Sequence, residues 1–201
     1  MTMDEILSTV SIEDAIKNCP WSTSDNAIRT SKKEIIGNRL IHNCYIIPNF
    51  YGERGTHITD KEEQLKGTDF RTPNHNIDVK VSIGDFRDDA MQYFECIPVE
   101  LTQNGKQSFT SDKDTTDVLY VNVNLTTNEI HFVSIPYNII LKIVRLNMAP
   151  SVLDKIHPLY IHDKKTSGNG SGCFIKLPIS RIVDLENVRY YKTKLYCGGL
   201  K

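Results

Sequence analysis

No apolar run in this chain of 201 residues approaches the length needed to span a bilayer, so a transmembrane helix is not expected. The N-terminus carries acids and lacks a basic-then-apolar leader, which argues against secretion. A cytoplasmic protein of a bacterial or phage-infected cell is expected instead. No two of the five cysteines (Cys19, Cys44, Cys96, Cys173, Cys197) form a CxxC pair, and their number is odd. That pattern fits reduced thiols better than a disulfide framework or a zinc site. The six histidines show no HExxH or other paired spacing. The run Ser167–Gly172 is rich in glycine but lacks the lysine of a phosphate-binding P-loop, and reads as a mobile connection over a groove.

Total charge decides little, because it is only −1. Its distribution says more. From Asp154 to Lys201, nine Lys/Arg stand against four Asp/Glu, a net of +5. A basic segment beside an acidic middle suits a phosphate-binding protein, and equally an unevenly charged solvated surface.

Local signals give an order of elements. Ser11 caps a short helix that Cys19-Pro20 ends. Ser31-Lys32-Lys33-Glu34 has capping-box spacing and predicts a helix with Ile35, Ile36, Leu40 and Ile41 on its apolar face. Thr59-Asp60-Lys61-Glu62 predicts a second, short helix ending at Gly67. Thr68–Thr72 and Asn76–Ser82 read as a hairpin turning at Pro73-Asn74. Strands come next at Tyr93–Leu101, Asp117–Leu125 and Glu129–Ile135, then a helix from Pro136 to about Leu146. A strand at Cys173–Leu177, a helix at Pro178–Leu185 and a strand at Val188–Tyr196 close the chain. This order predicts an α+β or mixed α/β fold, a central mixed sheet flanked by helices. It forms a single domain with a helical part (1–58), a sheet core (59–146) and a basic C-terminal part (147–201).

The chemistry concentrates in Lys66-Gly67-Thr68-Asp69-Phe70 and Ile77-Asp78-Val79-Lys80. Strand side chains alternate, so Ile77, Val79 and Val81 share one face, and Asp78 and Lys80 share the other. Asp69, on the neighbouring strand, can join them. Alone, Asp78 and Lys80 would read as an exposed ion pair worth less than about 1 kcal/mol. Two carboxylates and an ammonium converging on one sheet face instead need a cation or solvent. Mg²⁺ takes oxygen ligands and keeps several waters, so two or three carboxylates suffice. Asp69 and Asp78 are the expected ligands, the Val79 carbonyl offers a further oxygen, and Lys80 positions water or stabilises charge. Glu63 is the expected helix acid, with Asp60 second.

These residues resemble the PD-(D/E)XK nuclease superfamily: Gly67-Thr68-Asp69, then Ile77-Asp78-Val79-Lys80, with an acidic helix just upstream. The resemblance covers about Asp60–Ser82. Thr68 stands where the motif name has proline, and Asp78 where glutamate is commoner. The resemblance implies a restriction-endonuclease-like core and a Mg²⁺-dependent endonuclease acting on DNA, with Mn²⁺ as a substitute ion. It implies catalytic roles for Asp69, Asp78 and Lys80, with a helix glutamate such as Glu63 beside them. A homodimer is compatible with one site cutting one strand. The competing expectations are a non-catalytic nucleic-acid-binding module with a decayed motif and a viral accessory or interaction protein. Further phosphate contacts are expected from Arg29, Lys32, Lys33 and Arg39, and from the alternation of Tyr190, Tyr191 and Tyr196 with Arg189, Lys192 and Lys194.

Overall fold

The computed structural model describes residues 2–20, 22–85, 94–103, 106–109, 113–148, 165–166 and 172–196. Helix α1 (Met3–Ser8) opens on Thr2 and Glu5, which cap each other's backbone amides. Helix α2 (Ile12–Asn18) is capped by Ser11, as the sequence predicts. Helix α3 (Asp25–Asn43) starts at Ser24, well before the capping box predicted at Ser31. Ser31 is buried in mid-helix, where its hydroxyl donates to the Ala15 carbonyl at 2.9 Å and pins α2 to α3. Tertiary packing uses the serine that local spacing would assign to a cap. Helix α4 (Ile46–Tyr51) comes next.

After strand β1 (Thr56–His57) and helix α5 (Lys61–Leu65) comes the expected hairpin, β2 (Phe70–Arg71) with β3 (Asn76–Gly84). Phe70 pairs with Ile77 and Arg71 with Asn76. Strands β4 (Cys96–Gln103) and β5 (Lys106–Gln107) lead to the long hairpin β6 (Asp117–Asn124) and β7 (Glu129–Pro136). Helix α6 (Tyr137–Met148), strands β8 (Lys165–Thr166) and β9 (Gly172–Pro178), and strand β10 (Arg189–Lys194) complete the described elements. The helix expected at Pro178–Leu185 is a single 3-10 turn, Ile179–Arg181, enough to bury Ile179 and Ile182. The expected acidic loop after Gly84 and the mobile glycine run Ser167–Gly172 lie largely outside the described residues, as does much of the basic C-terminal segment.

The fold is the expected mixture of helices and a mixed sheet. Six strands run in the order β1-β2-β3-β6-β7-β10, with β3 and β6 parallel and the other pairs antiparallel. A parallel pair needs a crossover. Here the described part of the crossover contributes β4 and β5 to a second sheet, β5-β4-β9-β8. Strand β4, expected in the central sheet, therefore belongs to the other one. The C-terminal part is woven into both sheets, through β9 and β10.

One face of the six-stranded sheet packs Ile77, Leu119, Val121 and Phe132 against Ile36, Leu40 and Ile41 of α3 and the small helices around it. The opposite face packs Val118, Tyr120, Val133 and Ile135 against the second sheet and α6. Burial of these apolar faces, at about 25 cal/mol per Å² removed from water, is the main force holding the layers together. The Asn122 side-chain amide adds a bond to the Cys96 carbonyl across the layers at 3.1 Å.

Two features shape the surroundings of β3. Strand β2 spans two residues, so among the described residues the outer edge of β3 beyond Ile77 has no strand partner. Helix α3 lies against that same strand at Gly37. A Cβ on Gly37 would stand 2.3 Å from Val81 Cγ2. Gly37→Ala is expected to force the layers apart and cost about 1–3 kcal/mol, the usual range for overpacking. Urea denaturation checks this; an unchanged midpoint would show that the contact relaxes freely.

Candidate active site

The site is built from a helix end, a strand edge and one helix face. Asp60 caps α5 by accepting from the Glu63 amide at 3.0 Å. Gly67 ends the turn at φ +88°, a left-handed conformation that disfavours side chains. Its carbonyl accepts from the Thr115 hydroxyl at 2.8 Å. The chain then drops onto β3, where the Asp69 amide donates to the Ile77 carbonyl at 2.8 Å. The Asp69 carboxylate continues the ladder where β2 leaves it: Oδ2 accepts from the Val79 amide at 2.7 Å. A strand residue directs its amide and carbonyl to the same side. The Val79 carbonyl therefore faces the open edge too, as its expected role as a ligand requires.

Asp78 is 3% exposed. Its Oδ1 accepts from Lys80 Nζ at 2.9 Å, while Oδ2 is buried without a hydrogen-bond partner among the described residues. Lys80 keeps its side chain 47% exposed, so its ammonium reaches out over a cleft. Asp69, Asp78, Val79 and Lys80 all line this one cleft, of about 190 Å³. The hairpin thus unites the four motif residues.

It does not bring Glu63 to them. The Glu63 carboxylate is held outside the cleft by Arg71 at 2.5 Å and Lys66 at 3.6 Å. Those cations keep its pKa below the usual carboxylate range. Asp60 is occupied as a cap. The acid that does line the cleft is Glu34 of α3, with Asn18, Asn38, Lys61 and Gln64 around it. Glu34 accepts from the Asn18 amide at 3.2 Å. Its spacing three residues after Ser31 disguises it as a capping residue, and only the true start of α3 frees it. The signal in the sequence is its place on a helix whose next turn carries Gly37, the residue that lets the helix approach the motif strand.

The other expected contacts divide. Lys33 stands beside the site, on the wall of a neighbouring cleft. Arg39 is committed to the Thr9 carbonyl at 3.2 Å. The histidines nearest the motif in sequence take up hydrogen bonds within the fold, His57 with Asn38 at 3.2 Å and His75 with Asp117 at 2.7 Å. Tyr190, Tyr191, Lys192 and Lys194 lie on β10, three strands from β3 and so about 14 Å away at the usual strand spacing.

Charge in this cleft is unbalanced. Burial raises the Asp69 pKa, the Asp78 carboxylate raises it further, and together they push it up to about 7 against the opposing Val79 amide and Lys80. Burial likewise lifts Glu34, with Lys80 and Lys61 opposing. Burial disfavours the Lys80 ammonium, but Asp78, by charge and hydrogen bond, and then Asp69 and Glu34 outweigh it, so its pKa rises. Lys80 therefore stays charged and is unsuited to act as a base.

A divalent cation fits these residues. The chemistry of the set is hard oxygen: two carboxylates, one with a buried unpartnered atom, and a strand carbonyl facing the same edge. Among the described residues no group of three or more His, Cys, Asp or Glu is gathered as a ready-made cluster. An ion here would complete its shell with water and substrate oxygens, the habit of Mg²⁺. Among the described residues no helix is long and apolar enough to cross a membrane. Compared with known proteins, the sequence matches no family model and no curated protein.

A carboxylate whose folded pKa lies above its unfolded value of about 3.9 makes the folded chain bind more protons between the two values. The Asp69 contribution to stability is therefore fully present below about pH 4 and is lost as pH rises to about 7. In metal-free thermal melts, Asp69→Asn is expected to raise the Tm relative to wild type at pH 8, with the gain vanishing toward pH 4. A gain independent of pH would show that Asp69 does not carry this penalty.

Proposed function

We propose that the chain is a divalent-metal-dependent endonuclease that hydrolyses DNA phosphodiester bonds at the Asp69–Asp78–Lys80 cleft. The observation that carries this reading is the convergence of Asp69, Asp78, Lys80 and Glu34 on the open edge of one strand, with one Asp78 oxygen buried and unpartnered. The arrangement also supports the resemblance to the PD-(D/E)XK superfamily, with the helix acid supplied by Glu34 instead of Glu63.

Asp69 and Asp78 would hold the Mg²⁺, with the Val79 carbonyl beside them. When bound, the ion supplies a water of lowered pKa and neutralises charge on the phosphoryl oxygens. The protein's own groups divide the remaining work. The Val79 amide fixes the Asp69 carboxylate, and the Lys80 ammonium fixes Asp78. Lys80, kept charged by its neighbours and partly open to solvent, is placed to meet a phosphate and stabilise the negative charge that builds on it. Glu34, whose pKa is raised by burial, is the acid lining the cleft outside the ion's ligand set, and would receive the proton of the attacking water. The Asn18 amide orients it.

Purified protein with Mg²⁺ or Mn²⁺ is expected to cut DNA. Asp69→Ala and Lys80→Ala should each lower the rate by about a hundredfold or more, the usual scale for removing one group that stabilises the transition state. Glu34→Gln should do the same, whereas Glu63→Ala should cut at nearly the wild-type rate. Gel assays on single-stranded, duplex and branched DNA, with unfolding curves for each variant, check this. Nucleic-acid binding without cutting by any form would favour a non-catalytic module. Loss of activity in Glu63→Ala but not Glu34→Gln would return the helix acid to α5.

A further inference from the structure

A second cleft, of about 460 Å³, opens on the other side of the β3 edge and shares Glu34, Asp78, Val79, Lys80 and Val81 with the first. Its outer wall carries Lys33 from α3, Ser108 and Lys113 from the segments before β6, and Tyr120 from β6. Among the described residues, three buried polar atoms without a hydrogen-bond partner belong to this one cleft: Asp78 Oδ2, Ser108 Oγ and Tyr120 Oη. Tyr120 is only 1% exposed. Buried polar atoms are nearly always satisfied, so the two hydroxyl orphans point to a ligand that accepts from them, while Asp78 Oδ2, itself an acceptor, faces the proposed cation. Two hydroxyl donors with Lys33, Lys80 and Lys113 around them suit an anion, and the metal-binding carboxylates beside them restrict where that anion sits.

We propose that this cleft holds the nucleotide next to the scissile phosphate, with its phosphate oxygens bound by the Tyr120 and Ser108 hydroxyls and by Lys33 and Lys113. The substrate is consequently a single strand or an unpaired end, not an intact duplex. This rests on the nuclease reading and narrows it. The cleft's volume lies in the range of about 300–1,000 Å³ typical of small-ligand sites, enough for one nucleotide. A paired nucleotide would bring its partner and a second backbone, more than a cleft of this volume holds. Unpairing also has an energetic cost that a single strand or frayed end avoids. Glu100 on the same wall is an acceptor suited to a base amino group.

The test separates binding from cutting. Fluorescence anisotropy with Ca²⁺ in place of Mg²⁺ would compare a labelled single-stranded oligonucleotide, a blunt duplex and a duplex with a single-stranded overhang. Wild type should bind the single strand and the overhang at least about tenfold more tightly than the blunt duplex. Tyr120→Phe combined with Lys113→Gln should weaken single-strand binding about tenfold, with unfolding curves showing an intact fold. Lys142→Gln on α6, away from both clefts, is the control for general charge loss. Equal affinity for all three DNAs, or unchanged single-strand affinity in the double variant, overturns the proposal. In Mg²⁺, efficient cutting of blunt duplex would sink this inference while sparing the nuclease reading. Selective single-strand binding with no cutting would do the reverse.

Discussion

Asp69 and Asp78 repel one another in a notch where water screens them only partly, and much of the surrounding structure exists to hold them there. The Val79 amide grips one carboxylate and the Lys80 ammonium the other. Neither contact neutralises the pair, because burial and the Asp78 charge still lift the Asp69 pKa far above its ordinary value. Isolated, such a pair is a cost to folding. A divalent ion held by the two carboxylates would turn the same repulsion into affinity.

The fold supplies the notch by stopping a strand early. Strand β2 ends its pairing at Ile77, so an aspartate side chain takes the place of the next backbone partner on β3. The left-handed turn at Gly67 delivers that aspartate, and the Thr115 hydroxyl ties the turn to the segment before β6. From the other side, the missing side chain at Gly37 lets α3 lie on Val81 and swing Glu34 to the cleft. The far side is walled off by Ser108 and Lys113 from the crossover and Tyr120 from β6. Strand edge, helix face and second sheet therefore meet at one strip of β3.

Much of this was legible in the sequence, and the failures have physical causes. The alternation of Ile77, Val79 and Val81 with Asp78 and Lys80 dictated the face assignment, because period two leaves few readings for a strand. The β6–β7 hairpin and α6 were legible for the same reason: long periodic segments with turn residues between them. Ser31 and Glu34 misled because capping-box spacing is a local signal, and the packing of α2 on α3 overrode it. Glu63 was chosen by nearness in sequence to Gly67, but Arg71 on the hairpin claims it. For the second sheet, strands at Tyr93–Leu101 and Cys173–Leu177 were legible, but their pairing was not. Its central pair joins β4 to β9, far apart in the chain, and no local pattern reports such a pairing.

Everything proposed for the cleft depends on the two aspartates and their neighbours holding a divalent cation. Titration of Mn²⁺ followed by electron paramagnetic resonance, where free and bound ion give different signals, tests this without reference to any substrate. Saturable binding is expected for the wild-type chain at pH 8, competed by Mg²⁺ and lost in Asp78→Asn. Equal binding by wild type and Asp78→Asn, or none by either, would contradict it.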